Sequence, residues 1–129
     1  MKRLFAILSL IIVLIAICTF EEVFLDKFIP QFTSEANSLS TLIKGTENLN
    51  NEEINTNYKK LNNNWNNAKI IMCFFTNYEK IKSLDESFIK LNSAIKNNDK
   101  NLANENISII CNYEKFLNYM MGFNFNNLF

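Results

Sequence analysis

The side chains able to do chemistry in this chain are carboxylates, lysines and thiols, because histidine is absent. Without an imidazole the commonest general base is missing, and serine or cysteine catalysis loses its usual histidine-assisted form. Glu52 with Glu53 and Asp85 with Glu86 are adjacent acid pairs. Neighbouring helix residues project about 100° apart and do not converge on one point, so both pairs read as solvated surface. Lys82 to Glu86 and Glu86 to Lys90 have the spacing of surface ion pairs, in keeping with that reading. An enzyme would need a buried carboxylate of raised pKa; two or more of Glu79, Asp85, Glu105 and Glu114 meeting in a cavity would indicate one. No run of spaced oxygen ligands with a turn glycine marks a cation site. The expectation is a protein that is not an enzyme, with no catalytic, cofactor-binding or metal residues assigned and no cofactor.

Cys73 and Cys111 would be free to pair outside the cytoplasm. In a straight helical hairpin turning near Asn98, however, Cys111 stands opposite about residue 86, roughly 20 Å along the axis from Cys73. A bridge therefore needs the helix that carries Cys73 to fold back. Asn106-Ile107-Ser108 matches the glycosylation pattern, a match expected by chance in so asparagine-rich a chain. Trp65 reads as a core anchor rather than a binding residue.

Lys2-Arg3 precedes an apolar run from Leu4 to Phe20 that only Ser9 and Thr19 interrupt. Such a run reaches roughly 25 Å as a helix, a little short of the roughly 30 Å hydrocarbon core, and Val23, Phe24 and Leu25 can supply the rest. An uncleaved anchor is favoured over a cleaved signal peptide, because Ala16-Ile17-Cys18 is a poor cleavage site and helix-compatible residues continue through Glu21 to Leu25. Acylation of Cys18 would want a small residue before it, where Ile17 stands. Basic residues before the run and Glu21, Glu22 and Asp26 after it place the N-terminus in the cytoplasm and the rest outside. The domain reading is thus residues 1–20 as a membrane anchor in contact with lipid and 21–129 as one extracytoplasmic helical domain.

Beyond the anchor eleven lysines face thirteen acids with no arginine, no footprint for nucleic acid. Two glycines and one proline in 129 residues disfavour a strand-rich fold. Asparagine, lysine, isoleucine and phenylalanine are all abundant, which an AT-rich coding sequence explains better than a prion-like tract.

Past Pro30, a first helical stripe runs through Phe32, Ala36, Leu39, Leu42, Ile43 and Leu49. Asn50 with Glu53 has the form of an N-cap and capping box. A second stripe follows through Ile54, Tyr58, Leu61, Trp65, Ala68, Met72 and Phe75, then shifts phase to Phe74, Tyr78, Ile81, Leu84, Phe88, Leu91 and Ile95. Lys96-Asn97-Asn98-Asp99 reads as a capped turn, and a last helix carries Leu102, Asn106, Ile109, Tyr113, Phe116, Leu117 and Met120 before stopping at Gly122. If the first helix lifts the chain some 40 Å from the bilayer, an unbroken return of nearly 70 Å would collide with it. Either Pro30 bends the first helix, or the second breaks near Thr76 to Ser83; the break is preferred. The fold class is all-α, a transmembrane helix followed by an antiparallel bundle of three to four helices. The terminal Met120-Met121-Gly122-Phe123-Asn124-Phe125 with Leu128-Phe129 either packs on the bundle or forms an adhesive tail.

The lysine-led anchor, the acid-rich continuation, the segment Trp65 to Ile95 with Asn77-Tyr78-Glu79-Lys80-Ile81, and the final helix together resemble a bacterial family of unknown function. Its members are small, membrane-anchored helical proteins from spore-forming lineages. They carry a histidine before the acid of the middle segment, where this chain has Asn77. The resemblance implies an extracytoplasmic helical domain working beside a small multi-pass membrane protein, and no activity.

The function expected is that of a membrane-tethered interaction or accessory protein with an envelope partner. The alternative is an extracytoplasmic bundle that senses a small ligand held between its helices.

Overall fold

A computed structural model describes the backbone of residues 1–74 and 76–126, with side chains of the last helix described as far as Leu117 and at Tyr119. Four helices follow one another, α1 Lys2–Gly45, α2 Glu52–Met72, α3 Tyr78–Lys96 and α4 Lys100–Asn126, with no strand among the described residues. Each helix packs on its neighbours in cyclic order, α1 on α2 and α4, α3 on α2 and α4, which makes a bundle with α1–α3 and α2–α4 as its diagonals.

α1 has two halves of different character. Its most apolar window buries none of its residues, and Leu4 to Val23 present large exposed apolar side chains. It is the one helix among the described residues long and apolar enough to cross a membrane. Thr19, a polar group inside this stretch, donates its hydroxyl to the Ile15 carbonyl at 2.9 Å, so it is satisfied without water. Burial begins at Leu25 and continues through Ile29, Phe32, Ala36, Leu39 and Ile43. Leu25 therefore belongs to the bundle core instead of lengthening the apolar run. Pro30 sits inside the helix on its exposed side. The donor it lacks would have gone to the carbonyl of Asp26, which is itself exposed.

The return helix does break, at Cys73 to Asn77, slightly earlier than the shift in stripe suggested. Cys73 caps the end of α2 through backbone bonds to Lys69 and Ile71. Asn77 starts α3 by accepting from the Glu79 amide at 2.8 Å. Phe74 and Tyr78, which the spacing put on the buried stripe, lie in and beside this turn and point to solvent. Phe75 lies outside the described residues.

Three further expectations shift by a residue or a face. The N-cap of α2 is Asn51, whose Oδ1 accepts from Ile54 at 2.9 Å, so Glu53 falls one place short of a capping box and serves the helix as a first-turn acid beside Glu52. Asn50 instead donates its amide to Asn48 Oδ1. Leu49 is fully buried but lies in the connection after α1. On α4 the core side chains are Ala103, Ile107, Ile110, Tyr113 and Leu117, while Ile109 faces outward. Gly122 does not stop α4, because its backbone stays helical where a terminating glycine would turn left-handed. The apolar side chains from Met120 to Phe129 lie outside the described residues.

The connection between α3 and α4 is tied to the end of α1 and to the connection between α1 and α2. Asn98, at φ 54°, turns the chain in the left-handed region that asparagine tolerates, and its Oδ1 accepts from the Leu49 amide at 2.7 Å. Asp99 accepts from Leu102 and opens α4, while Lys100 reaches the Lys44 carbonyl at the end of α1. Replacing Asn98 by glycine removes only the acceptor and should cost about 1 kcal/mol, whereas alanine also resists the left-handed turn and should cost roughly 2 kcal/mol. Urea unfolding of the detergent-solubilised chain, followed by the fluorescence of its single tryptophan, gives both values.

Candidate functional site

Each helix contributes one aromatic ring to the centre of the bundle. Phe32 of α1, Trp65 of α2, Phe88 of α3 and Tyr113 of α4 are all buried. Trp65 and Phe88 stack with centroids 6.4 Å apart, Phe32 approaches both, and Tyr113 meets Trp65 edge-on at 5.6 Å. The rings thus bridge both diagonals. Trp65 is completely buried, so its indole N–H needs an acceptor, and Asp85 on α3 supplies one at 2.6 Å. The same carboxylate takes Lys69, the residue one turn on from Trp65, at 3.2 Å. Asp85 is therefore structural, not the solvated partner of Glu86 that adjacency suggested.

A second carboxylate ties α1 to α2. Glu35 accepts from Asn64 at 2.5 Å and from Gln31 at 3.2 Å, and lies 3.7 Å from Lys60. Nothing in the spacing of Glu35 singles it out, because its partners on α2 are 25 and more residues away in sequence. Of the other acids considered for catalysis, Glu79 and Glu105 are exposed and Glu114 is half-buried. No group of three or more acids and cysteines gathers among the described residues. Neither Lys82 nor Lys90 closes a pair with Glu86 among them.

The three cysteines are free thiols. The fold-back that a Cys73–Cys111 bridge required is present, yet Cys73 points to solvent while Cys111 is half-buried on α4. Burial pushes the Cys111 thiol up, with Lys44 lowering it and Glu114 raising it, so it is held protonated and a poor nucleophile. Asn106 is only 2 % exposed and donates to the Leu102 carbonyl, which leaves it out of reach as a glycosylation acceptor in the folded chain.

Beside the aromatic centre a cleft of about 450 Å³ opens between α1 and α2. Phe20, Val23, Phe24, Phe28 and Phe32 form one wall, and Ala68 and Ile71 the other. Rings four residues apart on α1 follow one another at 6.4, 5.7 and 5.2 Å from Phe20 to Phe32, so an aromatic row runs from the exposed half of the helix into the core. Lys27, Gln31, Asn64 and Asn67 supply polar edges. No carboxylate or thiol lines the cleft, and Lys27 is the one titratable side chain among its lining residues, so it suits an apolar or amphipathic occupant.

The Tyr113 hydroxyl is buried without a hydrogen-bond partner among the described residues, with the Thr76 hydroxyl beside it short of bonding geometry. Burial outweighs the small help from Thr76 and pushes the phenol up to about 12.

A family model described as a domain of unknown function, DUF4363, matches residues 21–128. None of the curated proteins and none of the solved structures matches the chain.

Two measurements follow from this geometry. Asp85→Ala leaves the Trp65 N–H buried without an acceptor and should cost about 1–3 kcal/mol, while Asp85→Asn keeps the acceptor, loses only a half-exposed ion pair and should cost less than about 1 kcal/mol. The comparison is made by urea unfolding. For Tyr113 the folded phenol keeps its proton where the unfolded one, at the ordinary 10.0, has shed it. Its contribution is intact below pH 10 and is lost as pH rises toward 12. Tyr113→Phe should therefore match the parent at neutral pH and lose less stability between those values in pH-dependent melting.

Proposed function

The chain belongs to the DUF4363 family, and from that premise we propose that it is a membrane-tethered, non-catalytic interaction or accessory protein. Its first twenty residues cross a membrane with the N-terminus in the cytoplasm, and an antiparallel bundle stands outside and meets an envelope partner. The observation that carries this reading is the exposed apolar half of α1, which continues without a break into the helix that builds the bundle. Orientation rests on Lys2 and Arg3 before the run and Glu21, Glu22 and Asp26 after it. The antiparallel arrangement is supported by the pairing order: Lys60 and Asn64 lie by Glu35 with Trp65 by Phe32, and Tyr58 lies by Phe88 with Lys69 by Asp85. The non-catalytic part is favoured by a histidine-free composition and by carboxylates engaged in tying helices together.

The α1–α2 cleft supports a second reading, a sensor of small ligands, because its volume falls within the usual range of roughly 300–1,000 Å³ for such sites.

A cysteine placed at exposed Glu47, at the end of the bundle away from the anchor, tests the topology. It should react with a membrane-impermeant maleimide in intact cells, and reaction only after permeabilisation would reverse the orientation. In-cell crosslinking from the same position should trap one membrane protein above background. Failure to trap any, combined with a small molecule that co-purifies with the chain, would favour the sensor.

A further inference from the structure

Within the bundle, large apolar side chains that remain exposed gather at one place. Ile70 is 66 %, Phe74 82 % and Tyr78 70 % exposed, all within the last turn of α2, the connection to α3 and the first residue of α3. Ile89 on α3 and Ile109 and Tyr119 on α4 are also exposed, each apart from the others in sequence. Solitary exposed apolar residues need no explanation, but three around one tight connection do.

Their position supplies the explanation. Ala68 and Ile71, beside Ile70, line the cleft whose opposite wall is Phe20, Val23 and Phe24, the last residues of the exposed apolar half of α1. The α2–α3 connection therefore stands at the level where α1 leaves its apolar stretch. The aromatic row from Phe20 to Phe32 makes this surface continuous with the anchor.

Charge narrows the choice of occupant. Glu21, Glu22 and Asp26 surround the exit of α1. Lys69 is drawn into the pair with Asp85, and Lys80 lies over the Phe116 ring at 5.2 Å. Lys27, Lys82 and Lys115 are exposed among the acids Glu21, Glu22, Asp26 and Glu79, so the charge is mixed in sign and contact with the bilayer would come from apolar and aromatic insertion. Phenylalanine and isoleucine bury apolar surface, while tyrosine suits the headgroup boundary.

We propose that the α2–α3 connection is a second membrane contact, with Ile70, Phe74 and Tyr78 seated in the phospholipid interface of the bilayer that the N-terminal helix spans. This rests on the anchor reading of α1. The bundle is then held to lipid at two points at its membrane-proximal end instead of standing free on a single stalk. The contact is insensitive to salt because it uses no charge.

Exposed Cys73, next to Phe74, is a native place for a probe. The full chain carrying Cys18→Ser and Cys111→Ser is labelled at Cys73 with an environment-sensitive fluorophore and reconstituted in phosphatidylcholine vesicles. Companion proteins carry the only thiol at Ile12→Cys in the anchor or at Glu47→Cys at the far end. Nitroxides near the lipid headgroup should quench the Cys73 probe, deep nitroxides the Ile12 probe, and neither the Glu47 probe. Phe74→Asp should reduce quenching at Cys73 at least twofold and leave Ile12 and the Trp65 spectrum unchanged. An unquenched Cys73 with a quenched Ile12 overturns the second contact and spares the anchor; an unquenched Ile12 overturns the anchor as well. If the serine replacements disturb the Trp65 spectrum, hydrogen exchange of the unaltered chain in lipid nanodiscs replaces the quenching measurement. Protection of the α2–α3 connection relative to the protein in detergent supports the contact, and its absence overturns it.

Discussion

The fold depends on four aromatic rings meeting at one level, one from each helix. Neighbouring helices touch along their lengths, but the diagonals are joined through Phe32 with Phe88 and Trp65 with Tyr113. An indole at the centre brings a condition with it, since a buried N–H without an acceptor would cost about as much as several ring contacts gain. Asp85 meets that condition from α3 and in turn fixes Lys69. The register between α2 and α3 is thereby set by one polar group at the edge of an apolar layer. Tyr58 reinforces it farther along by donating to the Phe88 carbonyl.

Features that depend on local chemistry were legible in the sequence. The apolar N-terminal run, the break in the return helix, the turn at Asn97 to Asp99 and the burial of Trp65 all follow from residue types within a few positions of each other. Features that depend on a distant partner were not. Asp85 looks like a surface acid until an indole twenty residues earlier is placed against it, and Glu35 has no signature without Lys60 and Asn64. The stretch from Asn106 to Ile110 has isoleucine at three of its five positions. Periodicity there leaves more than one face open, and contact with α1 and α3 chooses Ile107 and Ile110 over Ile109. Phe74 and Tyr78 fit a stripe in number only, because Phe74 lies in the connection between α2 and α3 and Tyr78 opens α3 on its exposed side.

The many asparagines, whatever their origin in the coding sequence, are put to local use. Asn51 and Asn77 start helices, Asn98 makes the left-handed turn, and Asn55, Asn57 and Asn106 donate back to carbonyls one turn earlier. Such bonds compete with helix propensity only mildly, and they supply at helix ends what a glycine- and proline-poor chain otherwise lacks.

α1 passes from its exposed apolar half into the core without a linker, and Pro30 sits within it on the solvent side. In the membrane-tethered reading this makes the helix a lever. A change in bilayer thickness that tilts the anchor by about 20° would swing a point 30 Å above the surface by roughly 10 Å. Mechanical strain in the lipid would then reach Gly45 and the loop beyond it as a displacement, with no ligand needed to carry the message.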